Sequence, residues 1–179
     1  MVDVETTGLD TENAAIIQIG AVPFNYDTGE IDKDNMFCMS LTMPKKRFWT
    51  GDTQHFWLGQ NAEVYHSIME KAQHYEAVTR AFHAWAIERG DTRWWSKGFF
   101  DWAIVESYFD MLALDMPFNF RQAKDMRSFI AGLYGEAEYH DPEVDKVGDH
   151  HNALHDCLTQ LRQLFKAKEE TCQSVTISD

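Results

Sequence analysis

The chain has 179 residues, 44% of them hydrophobic and 13% aromatic, which is enough for one globular domain with a sizeable core. Sixteen Lys and Arg stand against 29 Asp and Glu, and the net charge of −13 argues against a broad basic face gripping long nucleic acid. No apolar run approaches the ~20 residues of a membrane helix and the N-terminus has no basic-then-apolar signal, so a soluble cytoplasmic protein is expected. Cys38, Cys157 and Cys172 are odd in number and scattered without a CxxC pair, which speaks against a disulfide framework or zinc knuckle and for reduced thiols.

In chain order, MVDVE predicts a first strand closed by the TTG turn, and AAIIQIGAVPF a second strand of continuous apolar character. NYDTGE is a turn with Gly29, and NMFCMSL resumes a strand, giving three consecutive strands that should be antiparallel neighbours. From Asp52 to about Arg89 the period lengthens. TQHFWLGQNAEVYHSIMEKA predicts one or two short helices, and YEAVTRAFHAWAIERG a helix with Val78, Phe82, Trp85 and Ala86 at helical spacing and Gly90 as its stop. TRWWSKG predicts a fourth strand, FDWAIVESYFDMLALD a helix, the region of Phe120 and Arg121 a short strand, and DMRSFIAGLYG another helix. GEAEYHDPEVDKVGD is a long loop broken by Pro142 and Gly148. NALHDCLTQLRQLFKAKEE is the last helix; a single domain is expected over residues 1–168, with a frayed polar tail over 169–179. The order predicts an α/β mixed sheet with helices over its faces.

Chemistry begins with Asp3 and Glu5. Residues two apart on a strand point to one side, so both carboxylates face one spot, and a cation between them would relieve their repulsion. Asp101, at the exit of the fourth strand, reads by itself as a helix N-cap or first-turn acid, and Asp156, early in the last helix, as a solvated face residue. An acid cluster loaded with divalent cations changes sign locally, so the negative charge limits binding mode more than substrate class.

Taken together, MVDVETTGLD, GFFDWAIVESYF and HNALHD resemble, in order and spacing, the three motifs of the DEDDh family of 3′-to-5′ exonucleases. The resemblance covers nearly the whole chain; the GEI hairpin, DTQHFWLGQ and HNALHDC are most similar to the small phage and prophage branch that includes a mycobacterial exoribonuclease. It implies a ribonuclease-H-like fold, three antiparallel strands followed by parallel ones. It also implies release of nucleoside 5′-monophosphates from the 3′ end of single-stranded DNA or RNA by two divalent cations, Mg²⁺ or Mn²⁺. By the same resemblance, Asp3 bridges both ions, Glu5 and Asp156 complete the water-activating site, Asp101 holds the second ion, and His151 is the general base. A homodimer is also open, since some relatives are dimers. The alternatives are a weak or inactive nucleic-acid-binding domain of the same fold, or a nuclease for very short oligonucleotides.

His150, His151 and His155 crowd the third motif. His151 and His155 at i, i+4 would share a helix face and could bind zinc, but the rest of a zinc motif is missing and three remote acids would have no role. The spacing to Asp156 selects His151, leaving His150 as a loop or capping residue. For the substrate end, the resemblance points to Thr6, Thr7, Gly8 and Leu9, with the leucine as a wedge between bases; Gly8 permitting the turn and Leu9 packing in the core is the plain structural alternative. Trp57, Phe56 and Phe100 are candidates to stack on bases. Lys97 either contacts a phosphate or sits at a strand edge, and Asp125 and Arg127 form an Asp-x-Arg element that reads as structural. Met1 leaves one residue between itself and Asp3, so the first strand is expected to be short and its hold on Asp3 loose.

Overall fold

The structure, a computed structural model, describes residues 1–60 and 62–173. β1 (Val2–Thr6) pairs antiparallel with β2 (Ile16–Ala21), and β2 antiparallel with β3 (Phe37–Ser40). β4 (Trp94–Ser96) and β5 (Ala123–Asp125) form a parallel pair, and β4 lies beside β1. The expected arrangement of three antiparallel strands followed by parallel ones is therefore present. Around it lie α1 (Thr53–His55), which runs into a π turn at Phe56–Gln60, α2 (Ala62–Glu70), α3 (Tyr75–Ile87), α4 (Phe100–Met111), α5 (Met126–Tyr134) and α6 (Ala153–Gln173). No helix among the described residues is long and apolar enough to cross a membrane.

Strand alternation sorts the described residues into two large cores, beside a small third cluster of Ile17, Trp57 and Ile68. Val2 and Val4 of β1 join Ile19 and Ala21 of β2, Phe82 of α3 and Phe109 of α4 in one of them. Val22, Trp95, Met126 and Ile130 join Cys157, Leu161 and Leu164 of α6 in the other. Asp3 is the register partner of Gly20 and Glu5 of Gln18, so both acids share the side of the sheet that α6 crosses. That crossing is close. A Cβ on Gly20 would lie 2.4 Å from the Ala153 carbonyl carbon and 2.5 Å from the Leu154 nitrogen, a separation that only glycine permits. The Ala153 amide donates to Gln18 Oε1 at 2.8 Å, and the Cys157 thiol points to the Gly20 carbonyl at 3.4 Å. Asn152 caps the helix, its Oδ1 accepting from the Leu154 and His155 amides at 3.2 Å each.

Three expectations need correction. The fifth strand lies at Ala123–Asp125 rather than at Phe120 and Arg121, because Asn119 starts a turn there: its Oδ1 accepts from the Arg121 amide and its carbonyl from the Gln122 amide. α6 continues through Gln173, past the expected onset of fraying at residue 169, and the rest of the expected tail, 174–179, lies outside the described residues. β1 is not loosely held: the Met1 nitrogen donates to the Val22 carbonyl at 2.9 Å and the Val22 amide to the Met1 carbonyl at 2.8 Å, which extends the ladder upstream of Asp3. Asp125 caps α5 by accepting from the Arg127 and Ser128 amides, in keeping with a structural Asp-x-Arg element.

Gly20→Ala should push α6 off β2. We expect a loss of about 1–3 kcal/mol in urea unfolding, the usual cost of overpacking, and an unchanged midpoint would contradict this contact.

Candidate active site

Asp156, in the first turn of α6, meets the two acids of β1. One carboxylate oxygen from each of Asp3, Glu5 and Asp156 lies within 4.8 Å of the other two. Asp101, in the first turn of α4, is buried, and its Oδ1 accepts from the Val4 amide at 3.2 Å, which pins it to the strand between the two acids. The simple reading of Asp101 as a helix-end acid therefore misses its main partner, which lies 97 residues away. Gln160, one turn along α6 from Asp156, donates from Nε2 to Asp3 Oδ1 at 2.7 Å. Sequence reasoning overlooked Gln160; its i+4 spacing from Asp156 was the available signal.

Burial, with crowding, raises the proton affinity of Asp3 and Glu5, and burial raises that of Asp101. Burial first, then the charges of Asp101 and Asp156, push the Asp3 carboxyl well above the usual range, against the opposing Gln160 hydrogen bond and Lys97 charge. Burial and then the Asp3 charge push Glu5 well up. Asp101 is pushed up to about 7 by burial, with the Val4 amide pulling the other way. Among the described residues no Lys or Arg forms an ion pair with any of the four. A desolvated set of hard oxygen donors without a protein cation fits divalent ions of the Mg²⁺ or Mn²⁺ class, and Asp3, Glu5, Asp156 and Asp101 are the residues that can hold them.

His151 precedes α6 rather than belonging to it, and its φ of 61° is left-handed. Its ring meets Phe56 edge-on at 4.9 Å between centroids, Trp57 at 5.9 Å and His150 at 4.6 Å. Burial, and then His150, move its pKa below the ordinary histidine value, against the pull of Asp156, so the ring is neutral at pH 7. His155 is occupied elsewhere: its Nδ1 accepts from the Asp149 amide at 2.9 Å, and the ring packs over Gly148, whose φ is 58°. The i, i+4 zinc pair is thus absent, because the left-handed turn takes His151 off the helix that carries His155.

A model of the 3′-5′ exoribonuclease Rv2179c-like domain matches residues 1–166. The chain belongs to that family. Its fold is similar to that of cell-death related nuclease 4 (CRN-4), with a TM-score of 0.67 at 20% identity over 94% of this chain and 62% of that one, so it spans less than two thirds of CRN-4. It is also similar to the nuclease domain of 3′hExo, a DEDDh family member solved bound to rAMP, with a TM-score of 0.61 at 15% identity over 96% of this chain and 92% of that one. No curated protein sequence matches. The chain is thus a member of a 3′-5′ exoribonuclease family and has the fold of these two nucleases.

On the substrate side, the residues expected in this exonuclease separate into exposed and internal ones. Leu9 is 82% exposed and does not pack in the core. Gly8 is pressed against Thr50, whose Oγ1 would lie 1.6 Å from an added Cβ. The Thr6 hydroxyl donates to the Gly8 carbonyl at 2.8 Å. Thr7 is buried, its hydroxyl donating to the Phe48 carbonyl and accepting from the Ala15 amide, so its side chain builds the turn. Trp57 is also buried, with Nε1 donating to the Thr6 carbonyl at 2.9 Å, and presents no open face for stacking. Phe100 packs partly against the core, while its neighbour Phe99, overlooked in the sequence, is 71% exposed. Lys97 pairs with Asp141 and lies 5.7 Å from the Tyr139 ring centroid. Arg47 holds the loop after Leu9, donating to the Thr11 and Ala14 carbonyls at 2.6 and 3.1 Å and to Ser107 Oγ of α4 at 2.9 Å.

The raised carboxyls set a pH dependence. A group that binds its proton more tightly when folded lends stability below its unfolded pKa, ~3.9 for Asp, and loses it as pH rises through the folded value, about 7 for Asp101. In a chelator, the exonuclease should therefore melt at progressively lower temperature from pH 5 to 8, and added Mg²⁺ should raise the Tm more at pH 8 than at pH 5.5. Asp101→Asn should flatten the slope; a Tm that rises across this range would contradict the assignment.

Proposed function

We propose that this exonuclease removes nucleoside 5′-monophosphates singly from the 3′ end of single-stranded nucleic acid, with RNA the first substrate to test. The convergence of Asp3, Glu5 and Asp156 oxygens within 4.8 Å carries the reading, with a neutral His151 beside Asp156 in the same turn of chain. Two divalent ions held by Asp3, Glu5, Asp156 and Asp101 would relieve charge at the phosphate and acidify the attacking water. The protein's own groups supply the rest. His151 accepts the proton of that water, which its neutral ring is able to do at pH 7, and Phe56 and Trp57 restrain the ring against rotation. Gln160 orients the Asp3 carboxylate by donating to one of its oxygens. At the substrate end, the backbone from Thr6 to Gly8 meets the terminal nucleotide and the exposed Leu9 wedges between the last two bases. Phe99, one residue before the first turn of α4, offers an apolar face for stacking beside it.

The net charge of −13 supports a grip on only a few nucleotides, so weak dependence on oligomer length beyond the terminal residues is expected. The direct test incubates 5′-labelled single-stranded RNA and DNA oligonucleotides with Mg²⁺ or Mn²⁺. A ladder shortening from the 3′ end is expected, and intact oligonucleotide with either metal and folded protein would favour a binding domain instead. His151→Ala should lower turnover by ~10²–10⁴-fold while sparing oligonucleotide binding, whereas His155→Ala should be mild. The acid limb of the rate profile should fall below the ordinary histidine pKa of ~6.5. Normal turnover in His151→Ala with loss in His155→Ala would reverse the assignment.

A further inference from the structure

We propose that His150, His151 and Asp156 form a binding site for a borderline transition-metal ion such as Zn²⁺, and that an ion bound there arrests the exonuclease. The binding site stands on its own geometry; the arrest rests on His151 serving as general base.

One ring nitrogen from each histidine and one Asp156 oxygen lie within 4.8 Å of one another. Adjacent residues ordinarily send their side chains apart. Here the left-handed φ of 61° at His151 coincides with two rings lying side by side, centroids 4.6 Å apart and planes tilted by 40°. A donor set of two imidazoles and a carboxylate suits Zn²⁺, Co²⁺ or Ni²⁺, whereas Mg²⁺ prefers oxygen donors throughout. With metal–ligand bonds of ~2.0 Å, tetrahedral donors sit ~3.3 Å apart, so the three groups need to close by no more than about 1.5 Å. His150 is exposed, in the loop before α6, and has the freedom to do so. His155 is not among the three converging groups: its Nδ1 accepts from the Asp149 amide and its ring lies over Gly148.

Asp156 belongs to both clusters, which ties occupancy to activity. An ion between the histidines occupies the His151 lone pair that would accept a proton, and draws the Asp156 carboxylate away from Asp3 and Glu5. The structure also contains a competitor. The Lys146 ammonium hydrogen-bonds His150 Nε2, and its charge beside the ring opposes entry of a cation. Removing that amine should strengthen binding of the ion.

Zinc affinity of the full chain, measured by competition with a chromophoric chelator in the absence of Mg²⁺, reads the site without reference to turnover. Loss of even an outer partner of a metal site costs about 10–100-fold, so His150→Ala should weaken zinc binding by at least about tenfold. It should raise by the same factor the zinc concentration for half-inhibition, measured against the variant's own Mg²⁺-supported turnover without zinc. Lys146→Met should shift both quantities the other way. Equal zinc affinity and equal inhibition in wild type and His150→Ala would overturn the proposal, placing any zinc among the acids of β1. If His151→Ala retains turnover while His150→Ala still binds zinc tenfold more weakly, the site stands and the general-base reading falls.

Discussion

The amino end of α6 approaches β2 more closely than any side chain at position 20 would allow, and the whole site is referenced to that approach. The Gln18 side chain takes up the Ala153 amide and Asn152 takes the next two, so the first turn of the helix is fixed in height and in rotation. Asp156 and Gln160 lie one turn apart on the helix face so oriented. One completes the carboxylate cluster, and the other holds an oxygen of Asp3. A small local vacancy in β2 thus controls the meeting of residues more than 150 positions apart.

The cluster it creates is electrostatically unfavourable without a ligand. Buried acids at this spacing hold their protons far more tightly than solvated ones, and a divalent ion bound there would replace protons that the fold otherwise retains. This reconciles the strongly negative sequence with a polyanionic substrate. Ions collected at one place would supply the attraction, and the remaining surface need not be basic.

Much of this was readable because the informative patterns are local. Asp3 and Glu5 share a strand face by their spacing alone, and the helical period from Val78 to Ala86 predicts the buried side of α3. What escaped notice depends on contacts that no local pattern encodes. Trp57 reads as a stacking aromatic until its indole nitrogen is seen to hold the Thr6 carbonyl inside the fold. Phe99 and Phe100 are chemically identical, and only the docking angle of α4 decides which faces solvent. Gln160 is an ordinary polar helix residue in sequence, and the fifth strand is displaced because the Asn119 turn consumes the residues that looked extended. His151 adopts a conformation rare for a residue with a side chain, and no feature of its neighbours announces it.

The guanidinium of Arg47 joins the loop behind Leu9 to Ser107, on the same helix that begins at Asp101. The loop that follows Leu9 and the helix that begins at Asp101 are therefore tied through one side chain, so the position of the exposed leucine relative to that acid depends on a residue in neither segment.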